Sequence, residues 1–61
     1  MEISVVLPRD ATPEVVRETV VGATVLYRAC ERQPDLWARY VALNDGGRVA
    51  VLQHIAQRVA A

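Results

Sequence analysis

The chain has no lysine and no phenylalanine, and only one cysteine, one histidine and one methionine among its 61 residues. Each shortage removes a class of explanation. A single cysteine, Cys30, rules out an intrachain disulfide, and nothing in the chain has metal-ligand spacing. Small domains without such staples commonly close their surface by association, because a chain of this length buries only about 60% of its unfolded surface alone. Without lysine, seven arginines stand against seven acidic residues and the formal charge is zero. A nucleic-acid binder normally shows a basic excess or a basic face, so that class is disfavoured. Arginine as the sole basic residue reads as GC-rich coding, as in an actinobacterium or its phages, and says nothing of chemistry. No apolar run approaches the roughly 20 residues that span a bilayer. Met1-Glu2 leads into neither a basic region nor a long apolar segment of the secretory kind. The expectation is an intracellular, cytoplasmic chain with no membrane partner and no cofactor.

What is abundant is apolar surface. Hydrophobic residues make up 52% of the chain, which is generous for a domain with so much exterior. Thr19 to Tyr27 is an uncharged run between Arg17-Glu18 and Arg28. A run of this kind is buried on more than one side, and so short a chain has little of its own to cover it. A partner is therefore expected, most simply a second copy in a homodimer.

The expected fold is mainly α: a single small domain over 1–61, with three helices at about 13–32, 35–43 and 48–60 and a strand-like arm at 2–7. In the arm, Ile3, Val5 and Leu7 alternate with Glu2, Ser4 and Val6, the strand period, until Pro8 stops it. A lone strand leaves its backbone groups unpaired. The arm either pairs between chains or packs over the helices. Thr12 is suited to cap the first helix, Pro13 to occupy its first position and Glu14 to meet the positive end of its dipole. Val16, Val20, Ala23, Tyr27 and Cys30 recur at intervals of four and three, the expected core seam, widened by Val15, Thr19, Leu26 and Ala29. Val21 and Val25 fall outside it. The β-branched residues of 19–27 also allow a strand pair turning at Gly22-Ala23, but the cap and the polar ends favour one helix. Gly22 beside Ala23 allows close helix approach, or is an ordinary helix glycine. Pro34 ends this helix. Leu36, Trp37, Tyr40, Val41 and Leu43 give the second its apolar side, and Asn44-Asp45-Gly46-Gly47 reads as a turn. Val49, Leu52, Ile55, Ala56 and Val59 form the inner stripe of the third.

No residue set for catalysis or metal binding is expected. His54 has no carboxylate after position 45 to orient it, and Cys30 on an apolar seam reads as a small buried hydrophobe rather than a reactive thiol. Trp37 and Tyr40 are better used as core volume at the helix junction than as a stacking platform. The function expected is non-catalytic: a protein–protein interaction module, such as an adaptor, regulator or phage-type inhibitor, that self-associates through the first helix and the arm. Its interface residues would be Ile3, Val5, Val21 and Val25, and its protein partner cannot be identified from sequence.

Two short patterns resemble DNA-binding families. Ile3-Ser4-Val5-Val6-Leu7-Pro8 ahead of helices resembles the start of ribbon-helix-helix repressors, whose paired strands enter the major groove. Glu2, Ser4 and Val6 stand where groove-reading side chains belong, so the resemblance implies a dimerisation ribbon without DNA reading. Ala42 and Gly46, four apart, with Leu52 and Ile55 inward, resemble a helix-turn-helix. That likeness implies an alternative function as a transcriptional regulator, with 48–60 as recognition helix and Arg48, Gln53, His54, Gln57 and Arg58 facing DNA. Asp45 and Gly47 occupy places that the motif usually fills with apolar residues.

Overall fold

Three helices, α1 (Pro13–Arg32), α2 (Pro34–Val41) and α3 (Asp45–Ala60), make up the computed structural model, which describes residues 5–60. The fold is mainly α, and the described residues contain no strand. Residues 19–27 lie within one helix.

Local chemistry sets the helix ends. Thr12 is extended, and its hydroxyl oxygen accepts a hydrogen bond from the Val15 amide at 3.3 Å, satisfying one of the free donors of the first turn. Pro13 follows at a position where a missing N–H costs nothing. At the other end the Gln33 amide donates to the Ala29 carbonyl, and Pro34 begins α2. Between α2 and α3 only residues 42–44 intervene. Asn44 acts as a cap, its side-chain oxygen accepting from the Gly47 amide at 2.7 Å. The expected turn at 44–47 is therefore corrected: Gly46 and Gly47 are helical, at negative φ, in the first turn of α3.

Packing is dominated by α1 against α3, with α2 laid more lightly against α1. The two long helices meet at Gly22. A Cβ built on Gly22 would lie 2.7 Å from the Leu52 carbonyl carbon and closer still to its oxygen. The helices thus touch backbone to backbone, and glycine is required for contact rather than for conformation. Leu52 is fully enclosed and joins Leu26, Cys30 and Tyr40 in the core, with Trp37, Leu36, Ile55, Ala23 and Val5 packed around them.

The core face of α1 keeps Cys30 of the expected seam and Thr19 and Leu26 of its widening, but adds Gly22 and leaves out Val16, Val20 and Tyr27. Its buried residues are Thr19, Gly22, Leu26 and Cys30. Val16, Val20 and Tyr27 are 40%, 61% and 38% exposed. The helix is turned so that Gly22 meets α3 and Val16, Val20 and Tyr27 face outward. The physical reason is the close approach at Gly22: the helices sink together where side chains are smallest, and dispersion rewards that contact. Thr19 can join this face because its hydroxyl donates to the Val15 carbonyl at 2.7 Å, leaving no unmet donor.

The described part of the arm packs on the molecule itself. Val5 lies on the core cluster, Pro8 and Ala11 close a turn through the Ala11 amide and the Pro8 carbonyl, and Val6, Leu7 and Pro8 face Asp45, Gly46 and Val49. The first part of the strand-like stretch lies outside the described residues. No helix among the described residues is long and apolar enough to cross a membrane.

Candidate interaction surfaces

The outward side of α1 is the first candidate. Val16, Val20 and Tyr27, with the half-buried Ala23 between them, form a stripe about 16 Å long at a rise of 1.5 Å per residue. The Thr24 hydroxyl on its edge donates to the Val20 carbonyl at 3.0 Å, so its donor is already satisfied. A shallow hollow of about 280 Å³ lined by Ala23, Thr24, Tyr27 and Arg28 lies along the stripe. Arg17, Thr24 and Glu31 stand seven residues apart and run along one edge. Among the described residues the only ion pair is Arg48 with Asp45, so neither Arg17 nor Glu31 has a charged partner there.

The second candidate is a cleft of about 420 Å³ at the junction of all three helices. Val25, Leu36, Tyr40, Leu43, Val51 and Ile55 wall it, and Arg39 is its one charged lining residue. The cleft is apolar, and Tyr40 in its wall stacks on Trp37 with ring centroids 5.7 Å apart. The Tyr40 hydroxyl is buried without a hydrogen-bond partner among the described residues, as is Nε of Arg48. Burial pushes the Tyr40 phenol above its usual pKa, and the Arg48 charge pulls it part of the way back. Both aromatics serve the core, Tyr40 within it and Trp37 packed against it, as expected from the need for volume at the helix junction. Cys30 is buried and free.

Of the expected interface residues, the described ones, Val5, Val21 and Val25, do not come together. Ile3 lies outside the described residues, and Val5 is turned into its own core. Val21, 38% exposed, borders a groove with Ala56 and Ala60, while Val25 is half-buried in the three-helix cleft. The stripe that is open instead consists of residues whose spacing had placed them inside. The signal pointing the other way was Gly22: a mid-helix glycine costs about 1 kcal/mol relative to alanine, and close backbone contact is what repays it.

The five side chains proposed to read DNA also separate. Arg48 folds back, donating from Nη2 to the Val41 carbonyl at 2.7 Å and lying 6.0 Å from the centre of the Tyr40 ring. Gln57 donates to Glu18 of α1 at 3.3 Å, and Gln53 is half-buried. Only His54 and Arg58 are exposed without such ties. Gly46 lies within α3 and makes no turn, so the glycine turn of the helix-turn-helix pattern is not formed. The described residues contain no group of three or more His, Cys, Asp and Glu able to hold a metal. The chain matches no protein-family model, and neither the curated proteins nor the solved structures yield a match.

Proposed function

We propose that this chain is a non-catalytic protein–protein interaction module whose docking surface is the outward stripe of α1. The supporting observation is the exposure of Val16, Val20 and Tyr27, when among the described residues the buried hydrophobic core consists of only six. Apolar side chains aligned on one helix face lose unfavourable hydration when a partner covers them, and helix-in-groove recognition reads this spacing. As an adaptor, regulator or inhibitor the module needs no group that titrates or transfers. The DNA-binding alternative has less behind it, since Arg48 and Gln57 are tied within the fold.

Affinity capture from cells expressing the tagged chain tests the reading. Proteins retained by the wild type should be lost with Val16→Glu/Val20→Glu and kept with Arg48→Ala/Arg58→Ala. Capture indifferent to the valines, or retention on DNA lost with the arginine pair, would overturn it.

A further inference from the structure

We infer that the stripe of α1 is covered by α1 of a second copy, the two helices running antiparallel about a two-fold axis near Thr24. This rests on the interaction reading above and names the partner. Three observations favour a second copy.

The first is area. The chain exposes 4541 Å², whereas a compact monomer of this mass exposes about 3,900 Å² by the size scaling of folded proteins. The surplus of about 600 Å² is close to what each partner contributes to a small specific interface. The chain measures 32 × 26 × 15 Å, a thin slab, and Val16, Val20 and Tyr27 of α1 are among its exposed large apolar residues.

The second is charge. Arg17 and Glu31 each stand seven residues from Thr24, two helical turns to either side and on the same edge of the stripe. A two-fold axis at Thr24 sets each Arg17 opposite a Glu31 of the other copy, twice per dimer. A parallel arrangement would set arginine against arginine and glutamate against glutamate. With a formal charge of zero, the copies carry no net repulsion to overcome.

The third is shape. Ala23 beside the axis is small enough for close approach, while Val20 of one copy falls next to Tyr27 of the other, large against medium on both sides of the centre. An interface that repeats the same contact twice is the self-complementary form a two-fold dimer demands.

Sedimentation velocity of the purified chain from micromolar to millimolar concentration tests the inference. The wild type should pass reversibly from monomer to dimer. Thr24→Glu should raise the dissociation constant more than about a hundredfold, since it sets two like charges against each other at the axis, while leaving the circular dichroism of the monomer unchanged. Arg17→Glu or Glu31→Arg alone should weaken the dimer about tenfold through like-charge contacts, and the two together should restore it. Thr24→Cys, which places a thiol at the axis, should give a disulfide-linked dimer under mild oxidation, and Arg58→Cys should not. A wild type that remains monomeric at millimolar concentration would overturn self-pairing. If Val16→Glu/Val20→Glu still abolished capture of other proteins, the interaction reading would survive that result. A dimer that ignores the charge exchange, or that Thr24→Cys fails to lock, would overturn the antiparallel arrangement.

Discussion

The inward side of α1 presents Thr19, Gly22, Leu26 and Cys30, and the outward side presents Val16, Val20 and Tyr27. By side-chain hydrophobicity the outward set is the better core. It is nevertheless the inward set that is buried, because backbone contact between α1 and α3 at Gly22 brings many atoms into range at once. Burial in this chain follows how closely two helices can approach, and not simply which residues most avoid water. The apolar residues displaced from the core then become a surface that something else can use.

The contrast breaks most sharply at its narrowest point. Gly22→Ala forces the helices apart or bends them, and the neighbouring atoms are backbone that cannot rotate away. The expected loss is on the order of 3 kcal/mol or more, against a total of about 3–9 kcal/mol for a chain of this size. Circular dichroism with urea unfolding should show a largely unfolded chain or a non-cooperative transition. A folded Gly22→Ala protein of unchanged midpoint would mean the helices do not touch there. Leu26→Ala opens a cavity on the same face beside Leu52 and should cost about 2–4 kcal/mol, read from the same urea midpoint.

The misreading of α1 from sequence has a definite cause. Apolar periodicity weighs side chains, so it gives full credit to Val16 and Val20 and none to Gly22, which has no side chain to weigh. Helix existence was legible, because Thr12, Pro13 and Pro34 carry their signals in a few adjacent residues. The start of α3 was not, because Asn44-Asp45-Gly46-Gly47 satisfies a turn as well as a cap followed by two helical glycines, and what distinguishes them is the pair of bonds that Asn44 accepts, its side chain from the Gly47 amide and its carbonyl from the Arg48 amide. The candidate surface was legible as a surplus in Thr19 to Tyr27. Its location was not, since it depends on the rotation of a helix about its own axis.

Smaller effects sharpen the comparison. Tyr40, facing the inward side of α1 in the core, keeps an unpartnered hydroxyl. Tyr40→Phe should stabilise by up to about 1 kcal/mol by removing an uncompensated polar group. Its pKa is raised in the fold, so the neutral phenol is the form the native state favours. Stability should be flat below the unfolded tyrosine value of about 10 and fall as pH rises beyond it, towards the folded pKa. Thermal melts of wild type and Tyr40→Phe should therefore diverge above about pH 10, with the wild type losing more; parallel curves would count against the burial of that hydroxyl. On the outward side, Val20→Ala should change monomer stability by less than about 0.5 kcal/mol when measured at concentrations too low for association. A loss comparable to that of Leu26→Ala would erase the distinction between the two faces.

The shortest helix gives the buried thiol a use as a clock. α2 has eight residues, too few to hold helical structure alone. It is kept in place by Tyr40 in the core and by the bond from Arg48 to the Val41 carbonyl at its end. Cys30 lies in the cluster that Tyr40 helps to close. A lifting of α2 would remove Tyr40 from that cluster and leave the contact of α1 with α3 at Gly22 in place. The rate at which a thiol reagent modifies Cys30 under native conditions would then time the departure of one helix from a pair that stays together.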